Sequence, residues 1–392
     1  MRRDFKCDLI IQARTLLCAA MCILWLGVPA TAQRPTIITF DVPGAGMGAY
    51  QGTNALGINS AGATAGVWTD ANNLTHGFVR AADGTYTTIN VPQAGTAAGQ
   101  GTWPQSINTT GTVVGFYFDA NNVTHGFVRT VDGAISTFRC TGASTAPAGG
   151  GACMSINDAG AVSGYCTDTK KVFYGFERAP GGKITSYNDP GAGAGANQGT
   201  LGYGINKGRT SAGFYIDTSN VYHGLVRTAD GSMTTFDVTG AGTGASQGTV
   251  GSAINNGGTT AGNYVDGDNL SRGFSRNSSG VVTTFDIPGA TGTIPAAINT
   301  RGTITGFYTG STHESVIIIA GVRGGAITTF DVRGAVRHLA IRHQCGRSNR
   351  WVLHRCQQCL AWLPADSMTV GFDAGRRASA LCRRPSLHQL TA

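Results

Sequence analysis

A unit of about forty-nine residues recurs along this chain, and that recurrence limits the fold more than any single motif. An Ile-Asn pair ends at Asn59, Asn108, Asn157, Asn206, Asn255 and Asn299, at spacings of 49, 49, 49, 49 and 44 residues. Seven residues after each Asn stands a glycine: Gly66, Gly115, Gly164, Gly213, Gly262 and Gly306. Two residues further on comes an aromatic, as at Trp68, Tyr117 and Tyr215, with Cys166 in its place in the third unit. An Asp follows in five units, at Asp70, Asp119, Asp168, Asp217 and Asp266. Next is a His-Gly-Phe element, at His76 to Phe78 and His125 to Phe127, with His223-Gly224-Leu225 as a variant. Tyr174 and Arg272 replace the His in units three and five, and a Thr-Thr-Phe-Asp-Val-like segment closes each unit.

Each unit parses into four short strands. The first two meet at an Asn-x-x-Gly turn, where Gly62, Gly111, Gly160 and Gly258 supply a left-handed conformation. The second ends at an Asp-Ala-Asn-Asn turn and the third at an Asp-Gly turn. Four strands per 40–50 residues, with one longer connection per unit, predicts an all-β fold, a β-propeller of four-stranded blades. Six blades are in frame. Composition agrees: 13% of residues are charged and 59 are Gly, which suits many tight turns and disfavours long helices. The glycine inside the second strand is expected to let a neighbouring blade approach closely.

Seven closing segments accompany only six complete units. The extra segment, residues 36–42, comes first, as in a ring closed by its two termini. It is expected to join the final blade as its outermost strand, with a complete final unit following Phe330. Beyond Gly334, however, the repeat vanishes. One nucleotide out of frame, Trp351 and Trp362 must read as Gly, and Gln344, Gln357 and Gln358 as Asn or Ser, at the repeat's own offsets. The expectation is a seventh unit translated out of frame, giving an atypical, disordered tail over residues 333–392. The domains are then residues 1–32, 33–332 and 333–392.

Residues 1–32 read as a signal peptide. Four basic residues precede an apolar run over residues 16–28, too short to span a membrane, and Ala30-Thr31-Ala32 supplies a cleavage site. A secreted or periplasmic, monomeric product without a transmembrane segment is expected. The net charge of +8 belongs to the ends. Residues 33–332 carry 15 basic and 17 acidic residues, or −2, against 10 − 2 = +8 in the tail, so nucleic acid is not an expected partner.

Few motifs carry chemistry. Cys356-x-x-Cys359, with Cys345 and Cys382, imitates half a zinc ribbon but lacks the second pair. Export permits a disulfide, with Cys140–Cys153 the pairing read from the sequence and Cys166 left over. Calcium at the Asp/Asn turns is imaginable, yet these residues cap turns through their own side chains, so no cofactor or metal is expected. His76, His125 and His223 share one structural position on different blades, which suits packing and hydrogen bonding better than a shared metal. No nucleophile elbow, zinc-protease motif or catalytic carboxylate pair is present, and no catalytic residue is assigned.

With these elements assembled, the chain resembles the HAF-repeat extracellular proteins of bacteria, here mostly in a His-Gly-Phe variant, over roughly residues 36–332. The resemblance implies an exported bacterial repeat protein. The function expected is non-enzymatic binding of glycan or envelope polymers, by connections bearing Gln51-Gly52-Thr53, Gln100-Gly101-Thr102, Gln198-Gly199-Thr200 and Gln247-Gly248-Thr249, whose side chains have shaping the connections as their alternative role. A polysaccharide hydrolase or lyase and a structural envelope protein are the alternatives.

Overall fold

Six copies of one four-stranded antiparallel meander follow one another along the chain. The computed structural model describes residues 36–310, 315–323, 326–329 and 350–354. From Ile37 onward these belong to one compact unit. In blade 1 the strands are Gly52–Ile58, Thr64–Thr69, Thr75–Arg80 and Tyr86–Ile89. Blades 2 to 6 begin at Gly101, Gly150, Gly199, Gly248 and Ala290. The first strands of successive blades pack side by side around a common axis. The fold is a β-propeller, and the four-strand division read from the repeat holds in every blade.

The repeat's residues are spent on this geometry. Each Ile-Asn asparagine accepts backbone N–H groups of its own turn on Oδ1; Asn59 takes Ala61 and Ala63 at 3.1 and 3.0 Å. Its Nδ2 donates to the carbonyl of the corresponding asparagine in the next blade. The links run Asn59 to Asn108 (3.0 Å), to Asn157 (3.3 Å), to Asn206 (2.9 Å), to Asn255 (3.1 Å) and to Asn299 (3.0 Å). A belt of buried amides thus ties the blades together. Turn glycines Gly62, Gly111, Gly160 and Gly258 have φ of +83°, +85°, +85° and +78°, the left-handed conformation expected of them.

The strand-two glycine serves a contact within its own blade besides the one expected. A Cβ on Gly66, Gly115 or Gly213 would strike the carbonyl oxygen of Asn54, Trp103 or Leu201, on the first strand of the same blade. The first strand carries a bulge there, between Ala55 and Gly57 in blade 1, which pushes its carbonyl toward the glycine. The contact that excludes a Cβ lies within the blade, and the next blade also approaches as expected: a Cβ on Gly202 or Gly251 would meet the carbonyl oxygen of Gly164 or Gly213.

Between blades, the third-strand residues Phe78, Phe127, Phe176, Leu225 and Phe274 are fully buried. Burying each such side chain contributes about 1.5–3 kcal/mol. The closing-strand ring of the preceding blade meets them edge-on, Phe138 on Phe176 at 5.9 Å and Phe236 on Phe274 at 5.8 Å. That same ring covers the glycine of its own His-Gly-Phe element: a Cβ on Gly126 would meet Phe138, and one on Gly224 would meet Phe236. An arginine then caps the interface, with Arg178 over Phe138 at 5.0 Å and Arg276 over Phe236 at 4.8 Å.

The opening strand, Thr36–Phe40, packs against blade 1 as the closing strand of a preceding blade packs at the other joints. Phe40 packs on Phe78 at 6.1 Å and under Arg80 at 4.6 Å. Its strand partner is Arg350–His354, in the segment expected to be without structure. An otherwise unpaired strand edge is satisfied in this way. The remaining tail, including the cysteine motif, and the complete seventh unit lie outside the described residues, as does the signal segment.

Candidate functional site

The meander places two kinds of connection at one end of the blades: the turns between second and third strands, and the long links from each fourth strand to the next blade. The polar residues of the repeat gather at this end. Trp68, Tyr117 and Tyr215 end second strands, and directly across the ladder stand His76, His125 and His223. Each imidazole stacks on its aromatic partner, with centroids 4.2, 4.9 and 4.7 Å apart. The Asp two residues beyond the aromatic faces the same imidazole.

Hydrogen bonding differs among the three. His125 Nε2 lies 2.9 Å from Asp119 Oδ2. His76 Nδ1 meets Asn90 Oδ1 at 3.0 Å, with Asp70 3.6 Å from Nε2, beyond hydrogen-bond range. His223 is held between Asp237 at 3.0 Å and Asp217 at 3.5 Å. At the Asn90 position blade 2 has Arg139, which turns away to the Ala143 and Ser144 carbonyls. Among the described residues, His125 Nδ1 therefore has no protein partner. In blade 5, Arg272 spans Asp266 and Asp286, which raise its pKa; in blade 3, Tyr174 donates to the Thr141 carbonyl at 3.1 Å. Partial burial opposes ionisation of Asp119, but His125 and the N–H groups of Val123 and Asn121 outweigh it and hold the carboxyl below its ordinary value.

The turn carboxylates are otherwise committed to backbone. Asp70 Oδ1 accepts the Asn72 and Leu74 N–H groups at 2.8 and 2.9 Å, and the Asp119 and Asp217 turns repeat this. Among the described residues no group of three or more His, Cys, Asp or Glu could hold a metal ion.

The Gln-Gly-Thr elements are consumed by the fold, so that of their two expected roles, ligand contact and shaping the connections, the second is the one seen. Gln100 Oε1 accepts Ala97 N–H at 3.0 Å, while its amide donates to Ala120 O at 3.2 Å and Asn122 Oδ1 at 3.0 Å. Gln51, Gln198 and Gln247 repeat the staple. Thr53, Thr102, Thr200 and Thr249 each accept, on Oγ1, the N–H of the residue after the preceding closing strand's final Asp or Asn. Gly101 (φ +112°) lies against the Thr75 carbonyl, where any Cβ would collide. These residues form the joint between blades.

Blade 3 replaces this joint covalently. The disulfide is Cys140–Cys166, with Cα atoms 6.4 Å apart, and not Cys140–Cys153. Cys140 occupies the position whose N–H the threonine would hold, Gly151 replaces the threonine, and Cys166 replaces the aromatic. A Cβ on Gly151 would strike Cys166 Sγ, so the glycine makes room for the bridge. Cys153 sits on the first strand, buried and free, and burial pushes its thiol pKa up.

A second departure from repetition joins blades 3 and 4. Glu177, 4% exposed, accepts Arg209 Nε at 2.5 Å on Oε1 and Arg227 Nη1 at 3.1 Å on Oε2. Arg227 also lies over the Tyr187 ring at 4.7 Å. Arg209 stands where Gly62 or Gly111 stands in other units, and it keeps their left-handed φ, at +61°. The clue in the sequence was that loss of glycine. Both carboxylate oxygens are taken, so Glu177 is a structural anion.

On the axis, the first strands enclose a cavity of about 50 Å³, lined chiefly by Ile58, Ile107, Ile205, Ile254 and Ile298 with Ser106 and Ser155. It has room for a few waters and no titratable group.

No family model matches the chain, and no curated protein sequence matches it. Among solved structures it is similar to a streptogramin B lyase, at 13% identity and a TM-score of 0.49, covering 79% of this chain and 90% of that one. It is also similar to the β-propeller domain of the Trilobed protease from Pyrococcus furiosus, at 9% identity and 0.47, covering 75% and 89%. A third is the Aleuria aurantia lectin, at 14% identity and 0.40, covering 73% and 97%. At these identities none of their chemistry transfers.

Proposed function

We propose that this protein is an exported, non-enzymatic propeller that binds a repetitive hydrophilic polymer, of the glycan or envelope class, on the blade face carrying the second-to-third-strand turns. One observation carries the reading: half-buried imidazoles on aromatic rings, flanked by carboxylates, recur at equivalent positions in blades 1, 2 and 4. Repeated equivalent sites suit a polymer with repeating groups, whereas catalysis needs one converged constellation. The expected Gln-Gly-Thr contacts are replaced in this reading by the histidine corners, because the glutamines and threonines are already bonded internally.

A glycan array tests it, followed by the same array with His76, His125 and His223 changed to Ala. The expected result is retained binding of a polymer class by the parent and its loss in the triple variant. Incubation with the same polymers addresses the second reading, polysaccharide cleavage, for which the Asp119–His125 pair with its open Nδ1 is the motivating observation. Release of reducing or unsaturated ends that disappears in His125→Ala would overturn the binding reading.

A further inference from the structure

The blade 4 corner departs from the repeat in its charge. Two residues past the end of each closing strand the chain buries an apolar side chain, as at Val42, Val91, Cys140, Val238 and Ile287. At the entry to blade 4 that residue is Asp189, only 7% exposed. Its Oδ1 accepts Gly191 N–H at 2.8 Å. A Cβ on Gly191 would meet that oxygen at 3.3 Å and Tyr215 Oη at 3.1 Å. Carboxylate and phenol therefore border one small space that the glycine leaves open. Across the ladder from Tyr215, His223 stands between Asp237 at 3.0 Å and Asp217 at 3.5 Å. This corner and the blades on either side of it lie wholly within the described residues.

Arginine answers the carboxylates of the neighbouring corners but not of this one. Burial raises the pKa of Tyr117, Tyr174, Tyr264 and Tyr215, and the charges around them then differ. At Tyr117 and Tyr174 the carboxylates of Asp119 and Asp168 are opposed by Arg139. At Tyr264, Asp286 and Asp266 are opposed by Arg272. At Tyr215, Asp189, Asp237 and Asp217 act together, with no Lys or Arg against them. An imidazolium at His223 would offset only one of the three charges.

Blade 5 shows what complements two of these positions. Asp266 and Asp286 stand there as Asp217 and Asp237 stand in blade 4. Arg272, in the place of His223, donates from Nε to Asp266 at 3.0 Å and from Nη1 to Asp286. A pair of carboxylates that holds an internal cation in blade 5 holds none in blade 4.

We infer that the blade 4 corner is a subsite for an ammonium group carried by the bound polymer, accepted by Asp237 and Asp217. Asp237, 56% exposed, offers both oxygens, and Asp217 offers Oδ2, its Oδ1 being held by the Ser219 and Val221 N–H groups. Asp189 supplies the third charge beside Tyr215. An ammonium brings three donors and makes charge-assisted bonds to carboxylates. The inference rests on the polymer-binding reading and narrows its ligand to a glycan with free amines. Acylating the amine removes the charge that the corner complements.

Calorimetric titration of the full-length protein with a glucosamine oligomer and with the same oligomer fully N-acetylated tests it. Mildly acidic buffer keeps the amines protonated and the carboxylates ionised. The free-amine oligomer is expected to bind tighter by about tenfold or more, the usual worth of a charged hydrogen bond. Asp237→Asn installs the residue that blade 1 carries there, Asn90, and is expected to abolish most of that preference. Circular dichroism confirms the fold of the variant. Equal affinity for the two oligomers, or a preference unchanged in Asp237→Asn, overturns the inference while leaving the polymer reading intact. Binding of neither oligomer overturns it as well, and the glycan array then decides whether the polymer reading falls with it.

Discussion

Asn157 shows how much of the ring depends on a single amide. Its Oδ1 accepts Ala161 N–H at 2.9 Å and its Nδ2 donates to Asn206 O at 2.9 Å, all while 3% exposed. Asn157→Asp preserves the first bond and loses the second, leaving Asn206 O with only the Arg209 N–H and a carboxyl oxygen set against it, a loss of about 1–3 kcal/mol, and more where the new carboxylate stays ionised. Urea denaturation is expected to show this cost falling as pH drops and the new acid regains a proton to donate. Among the described residues Asn299 Nδ2 has no acceptor, so Asn299→Asp is expected to cost less; equal costs would argue against a directional belt. The native carboxylates set a separate pH dependence. Asp83, Asp132 and Asp230 are held below the ordinary value by backbone and threonine hydrogen bonds. Asp70 and Asp119 are also lowered, the hydrogen bonds there outweighing burial. A depressed folded-state pKa contributes stability that is present above the unfolded value, near 4, and lost as pH falls through the folded one. Melting temperature should therefore be insensitive to these groups at neutral pH and decline below about pH 4. Asp119→Asn should flatten part of that decline.

Blade 3 separates what a strand pattern reveals from what it conceals. Its bridge closes a 26-residue separation, for which chain-entropy reasoning gives roughly 3 kcal/mol, so reduction should lower the unfolding midpoint markedly. Restoring the repeat with Cys140→Val, Gly151→Thr and Cys166→Tyr together should recover much of that stability. The new threonine would then accept the N–H of residue 140, as Thr102 accepts Val91 at 2.9 Å. Gly151→Thr alone should destabilise, since its Cβ meets Cys166 Sγ; chemical denaturation of the single and triple variants compares the two. The four-strand blade was legible because Asn-x-x-Gly, Asp-Ala-Asn-Asn and Asp-Gly turns mark its corners with left-handed or side-chain-capped residues. The disulfide partner was not legible from spacing, because Cys153 and Cys166, 13 and 26 residues from Cys140, both close loops of workable length. Only the positions they fill, first-strand interior against joint aromatic, distinguish them. The within-blade contact of the strand-two glycine was hidden for a related reason: periodicity records that a Cβ is excluded, but not every neighbour that excludes it. Likewise His125 was recognisable as a repeated residue, while its open Nδ1 depends on where Arg139 turns.

Across the whole ring, near-identical blades raise a problem of register: any blade interface could form with the wrong neighbour at little cost in apolar burial. The Phe and Arg contacts recur between blades 2 and 3 and between 4 and 5, so they stabilise without distinguishing one joint from another. Glu177 with Arg209 and Arg227 breaks that equivalence at the joint of blades 3 and 4, and buried ion groups are best attested in this role of fixing register. The corresponding third-strand residue is Val79 in blade 1 and Val128 in blade 2, and the turn residue is Gly62 or Gly111. Glu177→Val alone leaves Arg209 and Arg227 together without the anion they share and should cost about 3–5 kcal/mol. Arg209→Gly alone relieves a left-handed non-glycine residue but removes one of the two cations, so its net effect should be smaller. Combined, the two changes rebuild the joint found elsewhere, with Arg227 still stacked on Tyr187, and should recover much of the loss through a favourable coupling. Denaturant unfolding of the four proteins measures that coupling. Refolding yield measures the register itself: if the triad selects blade 4 as the neighbour of blade 3, the double variant should regain stability while refolding with a lower yield of monomer. Full recovery of both would leave the triad a local ion pair with no part in ordering the ring.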